Sequence, residues 1–169
     1  MKRRQFREKL CMLLFLVSTI AVSACSGNGL RSESIKSFYS DYRGTDSMIC
    51  VVPDRDSTLP EGIDQQYWTQ ALGSVDFSEY FVVFVFRGMQ PVWSNTEFQI
   101  TSVVENDREV HIATGVVVRT ANSAVSEFLS PTEAIKIEKG RMHRYGEITF
   151  RLVDESGKEM ASTTAVISP

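Results

Sequence analysis

YFVVFVF, residues 80–86, is an unbroken run of aromatic and β-branched side chains, and the chain breaks it soon after at Gly88 and Pro91. A strand with one face in water alternates apolar and polar residues. This run has no polar face, so both of its faces must be covered. It is therefore expected to be a central strand, with one face against an opposing sheet and the other against a helix. Each buried Phe or Val contributes roughly 1.5–3 kcal/mol, so this segment should dominate stability. Seven residues are too few for a lone membrane-crossing strand, and no barrel pattern repeats along the chain.

One segment suits the covering helix. In Asp64 to Leu72 the residues Ile63, Tyr67, Ala71 and Leu72 fall near one face, Trp68 widens it, and Gly73 is placed to end it. Most of the remaining sequence reads as strand. Ser47 to Val52 is an apolar run followed by the turn Pro53 to Ser57. In Glu97 to Val104, Phe98, Ile100 and Val104 face away from Glu97, Gln99 and Thr101. Val110, Ile112, Thr114, Val116 and Val118 alternate with Glu109 and His111. Ala134 to Glu138 is a short strand, Ile148, Phe150 and Leu152 mark another, and Lys158 to Ser168 closes the chain. Glu105 to Arg108 and Asp154 to Gly157 are tight links between antiparallel neighbours. The pattern predicts a mostly-β fold, an antiparallel β-sandwich or partly open barrel with one short packed helix, forming a single domain over residues 47–169.

The first 24 residues read differently. MKRRQFREK is basic and LCMLLFLVSTIAVSA is apolar over the length of a signal peptide. It ends in Val22-Ser23-Ala24-Cys25, small residues before a cysteine, as in a bacterial lipobox. Cys25 is then expected to carry a diacylglycerol after cleavage, with residues 25–46 as a lipidated, flexible tether that includes a short helical turn near Ile35 to Tyr39. An ordinary secretory signal cut after Ala24 is the alternative. Two or more acyl chains anchor a protein stably to a membrane. Ser26 after the cysteine is compatible with outer-membrane sorting in an enteric-type bacterium.

Charge and cysteines agree with an extracytoplasmic domain. The whole chain has 18 basic and 21 acidic residues; the leader removes five and one of these, leaving 13 and 20 and a net charge of −7. An acidic domain without a basic run is a poor fit for nucleic acid or for anionic lipid, so no nucleic-acid partner is expected. Of three cysteines, Cys11 leaves with the leader and Cys25 is lipidated, so Cys50 has no partner for an internal disulfide. Its apolar surroundings read as those of a small hydrophobe, not a nucleophile.

No catalytic set emerges. His111 and His143 lack metal-ligand spacing, and Asp54 with Asp56 lacks the glycine and distal glutamate of a calcium loop. There is no GxSxG, SxxK or phosphate-binding loop. The expectation is a non-enzyme with no metal and no cofactor. Trp93, just after Pro91 in what reads as a loop, is a candidate partner contact or a cap on the sandwich end.

Val75-Asp76-Phe77-Ser78, the apolar run, Gly88-Met89-Gln90-Pro91, Phe98-Gln99-Ile100 and Ser130-Pro131-Thr132-Glu133-Ala134-Ile135-Lys136-Ile137-Glu138-Lys139 together resemble the C-terminal domain of the PrcB family of protease-complex proteins. The resemblance spans roughly Val75 to Lys139. It implies a mostly-β, often lipid-anchored bacterial domain, and in some members a non-catalytic companion of a cell-surface serine protease. The family commonly has Thr-Gly-Gly-Tyr after the proline, where this chain has Val92-Trp93-Ser94-Asn95-Thr96. The expected function is a membrane-anchored, non-catalytic domain that binds a protease or other envelope protein. The expected contacts are Pro91, Trp93 and Asn95 in the Pro91 to Thr96 loop, with the Arg119 to Pro131 connection beside it. An envelope lipoprotein binding a small molecule or glycan is the alternative, and a degenerate hydrolase a third.

Overall fold

The computed structural model describes residues 28–93, 96–118 and 125–169. Cys25 lies outside them. The fold is mostly β: two sheets packed face to face, with one short helix on the outside of the second. The first sheet has the order β1 (Asn28–Gly29), β6 (Thr96–Asn106), β7 (Glu109–Val118), β9 (Gly146–Val153), β10 (Glu159–Ile167). The second has the order β2 (Ser32–Ser40), β8 (Val125–Glu138), β4 (Tyr80–Phe86), β3 (Met48–Val52), and β5 (Gln90–Trp93) also pairs with β8. The β10 edge abuts β3, and β6 approaches β8 and β2, but the sheets do not join into a closed barrel.

The apolar run is the central strand of the second sheet, between β8 and β3. Every residue from Phe81 to Phe86 is fully buried. Phe81, Val83 and Val85 face the first sheet, where they meet Val110, Ile112, Ile148 and Phe150; the Phe81 and Phe150 rings lie edge-on at 5.7 Å. Val82, Phe84 and Phe86 face outward and are covered by Trp68, Leu72 and Ile63. Trp68 packs edge-on against Phe84 at 4.9 Å and is flanked by Phe38 at 5.1 Å.

The covering helix is α1 (Gln65–Leu72). Asp64 caps it, its Oδ1 accepting the Tyr67 N–H at 2.9 Å, as a short polar side chain does at a helix start. Gly73 ends it in right-handed geometry, and the Ser74 hydroxyl takes up the Ala71 carbonyl. Tyr67, expected on the apolar face, is instead 43% exposed, under the Lys36 ammonium. The helix covers the sheet with Trp68 and Leu72.

Ser32–Ser40, expected as tether with a helical turn, is a nine-residue strand paired antiparallel with β8. Its sequence SESIKSFYS is polar because it is an edge: main-chain hydrogen bonds hold it, and Phe38 is its main apolar anchor. Sheet pairing is antiparallel except between β7 and β9. After β7 the chain crosses to the other sheet as β8, then returns to lie parallel beside β7. Both expected tight turns are present, β6 to β7 with Asp107 at φ 56° and β9 to β10 with Gly157 at φ 81°. Among the described residues no helix is long and apolar enough to cross a membrane.

Candidate functional site

The inward-facing positions of three strands stay apolar through the middle of the sandwich and turn polar at one end. On β4 the series Phe81, Val83, Val85 continues as Arg87; on β7, Val110 and Ile112 continue as Thr114; on β8, Ile137 and Ile135 lead back to Glu133. Arg87 is half-buried. Its Nη1 donates to Thr114 Oγ1 at 3.1 Å and reaches Met160 Sδ at 3.6 Å, and the guanidinium lies 5.3 Å from the Phe98 ring centroid. Thr114 in turn donates to the Val153 carbonyl at 3.2 Å. Burial pulls the Arg87 pKa below its ordinary value, and the charges of Asp154 and Glu155 oppose that shift. Arginine remains a cation through such shifts.

Glu133 links the sheets. It is buried, and its Oε2 accepts the Ile100 N–H at 2.9 Å. That amide is available because β6 carries a bulge between Ile100 and Ser102, with Thr101 as the extra residue. The bulge also corrects the expected alternation. Phe98 and Ile100 point inward as read, but beyond Thr101 the inward positions become Val103 and Glu105, and Val104 moves off the core face. Val116, expected inward, is 45% exposed, because the core ends at Thr114.

Glu105 is thereby buried at 3% exposure, at the far end of β6. Its carboxylate accepts the His143 N–H at 2.8 Å, the Arg144 N–H at 2.9 Å and a contact from His143 Nδ1 at 3.1 Å. A buried carboxylate is stable when such donors replace water. Glu105 therefore pins the loop after the 3₁₀ turn Lys139–Arg141 to the sheet and has no spare oxygen for chemistry.

At the Arg87 end, the β9–β10 turn completes an open depression of about 370 Å³ lined by Arg87, Thr114, Gly115, Val116 and the Asp154–Ser156 turn. Asp154 Oδ1 holds that turn, accepting from Ser156 N at 2.8 Å, Ser156 Oγ at 2.6 Å and Lys158 N at 3.0 Å. These bonds, led by the Ser156 hydroxyl, lower its pKa. Glu155 reaches across Gly115, and its Oε1 accepts the Val116 N–H at 3.1 Å.

Pro91 and Trp93, two of the residues singled out as partner contacts, belong to this same end. Pro91 and Trp93 do not sit in a loop: Gln90–Trp93 is β5, paired with the outer half of β8, Pro91 opposite Phe128 and Trp93 opposite Val125. The Arg119 to Pro131 connection likewise becomes strand from Val125 onward, so the short strand expected at Ala134 is 14 residues long. Pro91 is tolerated because β5 is an edge strand with β8 on one side only. Asn95 lies outside the described residues. Gly88, where the ribbon leaves the sheet, has φ +76°, and a Cβ there would lie 2.4 Å from the Thr45 carbonyl oxygen. The close approach and the left-handed backbone both require glycine.

The other candidates occupy structural positions. Cys50 is half-buried and burial raises its pKa, which leaves it a poor nucleophile. Asp54 Oδ1 is engaged in its own turn with Asp56 N and Ser57 Oγ. His111 pairs with Glu109 on the outer sheet face. Among the described residues no group of three or more His, Cys, Asp or Glu could hold a metal ion. Arg87, Thr114 and Glu133 are not among the candidates that sequence reasoning picks out, although one signal exists for them: each occupies the inward parity of an otherwise apolar strand. Comparison of the chain with protein-family models, curated proteins and solved structures finds no match.

Proposed function

We propose that this protein is a lipid-anchored, non-catalytic domain of a bacterial cell envelope, and that it binds a protein partner through the Arg87 end of its sandwich. The observation that carries the reading is the concentration of recognition features at that end. The β5–β8 ribbon extends from it, Phe128 on the ribbon is 62% exposed and Val116 is 45% exposed, beside a half-buried guanidinium. Large apolar side chains held out on paired strands are suited to protein contact. The sandwich interior is packed with apolar side chains, and among the described residues no aromatic ring lines the depression. A small-molecule or glycan site is therefore less well supported, since such sites are concave and rich in aromatics.

The resemblance to the PrcB family suggests an extracytoplasmic protease as the partner, with Cys25 as the anchor. The test is a cross-linked pull-down of the tagged chain from native membranes, read by mass spectrometry. Recovery of a secreted or surface protease in stoichiometric amount supports an accessory role in a protease complex. Trp93→Ala is then expected to reduce recovery while leaving the melting temperature nearly unchanged. Recovery of the chain alone refutes the reading.

A further inference from the structure

We propose that the domain is seated directly on the phospholipid headgroups through the end of the sandwich that carries Asn28, and that this seat holds the Arg87 end away from the bilayer. The inference rests on the lipid-anchored reading, with Cys25 as the anchor, and adds the height at which the partner must meet the domain.

Only Ser26 and Gly27 separate Cys25 from Asn28. Three residue steps reach at most about 10 Å. From Asn28 onward the chain is built into both sheets. Asn28 and Gly29 pair with Glu105 and Val104 as β1. The Leu30 N–H donates to the Val103 carbonyl at 2.9 Å, and the Leu30 side chain is buried in the core between the sheets. The Arg31 carbonyl accepts the Glu138 N–H at 3.1 Å, and Ser32 opens β2 in the other sheet. The Asn28 amide also donates to the Arg141 carbonyl at 3.3 Å and lies 3.2 Å from His143 Nδ1. Lengthening the tether would mean breaking β1 and withdrawing Leu30 from the core.

Asn28 lies at one end of the strands. The β6–β7 turn, the loop after Lys139–Arg141 and the last residue of β10, Ile167 opposite Gly146, share that end. Arg87 and the Asp154–Lys158 turn are at the other. So are Trp93, Thr96, Val118 and Val125, which border the residues outside the description. β7 runs ten residues from one end toward the other, about 30 Å. An anchor within about 10 Å of Asn28 therefore brings the near end to the headgroup layer and leaves the far end about 30 Å above it.

The side chains around Asn28 suit such a surface. Arg31, Arg141, His143 and Arg144 each expose more than half of the side chain. A guanidinium donates paired hydrogen bonds to phosphate. Carboxylates answer every one of these cations: Glu33 and Glu138 for Arg31, Glu138 for Arg141, Glu105 for His143 and Asp107 for Arg144. The end is thus rich in phosphate donors and carries little net charge. The reach of the anchor sets the seat, and attraction to anionic lipid does not. The seat should form on zwitterionic phospholipid and persist in high salt, which screens exposed charges.

The test uses the full lipidated chain in phosphatidylcholine vesicles, with Cys50→Ser removing the other thiol. A fluorophore is attached through Arg108→Cys at the Asn28 end or through Lys158→Cys at the Arg87 end, both exposed positions. A lipid with a nitroxide on its headgroup should quench the Arg108→Cys label several-fold more than the Lys158→Cys label. The difference should be unchanged by high salt or by added phosphatidylglycerol. A flexible Gly/Ser insertion of about twelve residues after Gly27 should abolish it. The Leu30 amide should be protected from hydrogen exchange in the chain without the insertion. The proposal is overturned if both labels are quenched equally, if the difference needs anionic lipid or survives the insertion, or if the Leu30 amide exchanges as in a free chain. The mass of the mature chain separates the two readings. Acylated Cys25 with equal quenching overturns the seat and leaves the anchor, whereas unmodified Cys25 overturns both.

Discussion

Phe84→Ala probes the outer of the two cores. Phe84 is 0% exposed, its ring meets Trp68 edge-on at 4.9 Å and Phe86 in a stack at 6.4 Å. Truncating a buried phenylalanine costs about 3–5 kcal/mol, of which the ring pair with Trp68 supplies about 0.5–1.5 kcal/mol. In a domain of this size each kcal/mol lowers the melting temperature by about 3–5 °C, so a fall of about 9–25 °C is expected. Phe81→Ala on the opposite face should cost as much, because Phe81 is also 0% exposed and packs on Phe150. Equilibrium urea unfolding of the purified variants, followed by tryptophan fluorescence and far-UV circular dichroism, measures both. A Trp68→Ala and Phe84→Ala double-mutant cycle should return a coupling of about 0.5–1.5 kcal/mol. If Phe84→Ala costs under about 1 kcal/mol while Phe81→Ala costs the full amount, α1 does not cover the sheet and the two-sided burial of β4 is refuted.

Gly88→Ala forces a Cβ to within 2.4 Å of the Thr45 carbonyl at φ +76°, and should destabilise by at least about 1–3 kcal/mol in the same urea experiment. Glu105→Ala removes the buried carboxylate that accepts the His143 and Arg144 amides, and should cost about 1–3 kcal/mol in all; Glu105→Gln, keeping one oxygen, should fall between. On the outer face the Arg151 hydrogen bond, followed by that of His111, holds the Glu109 carboxyl at about 2. A depressed folded-state pKa gives a contribution that is complete above the ordinary carboxylate range and fades as pH falls toward 2. NMR titration should find the Glu109 midpoint near that value in the wild type and back in the ordinary range in Arg151→Met.

What was legible in the sequence was the part decided by apolar patterning. YFVVFVF declares its two buried faces, Asp64 and Gly73 bracket the helix, and the tight turns mark two hairpins. The misses share a cause: main-chain pairing without an apolar signature. β2 is a polar edge, and the outer half of β8 and β5 form a ribbon beyond the core, so neither carries the alternation that marks a half-buried strand. The bulge at Thr101 is also silent in the sequence, yet it decides that Val103 and Glu105, and not Val104, turn inward. Of the candidate site, the ribbon residues Pro91 and Trp93 stand out by their type. Arg87 and Glu133 do not, because an isolated charge in a strand reads as a solvent-facing one.

β8 also imposes an order on folding. Its three partners β2, β4 and β5 all precede it in the chain, and Ser32 pairs with Ile137 across most of the domain. Until residues 125–138 arrive, β4 has only the short β3 beside it, so one edge of the greasiest segment is unpaired, and Ile148 and Phe150 have yet to close its inner face. Pairings this distant in sequence close slowly, and an unpaired apolar strand is a template for aggregation. A nascent chain therefore passes through a window in which one edge of YFVVFVF is open. A chaperone that recognises exposed apolar strands would act on that edge, and its release would be timed by the arrival of β8.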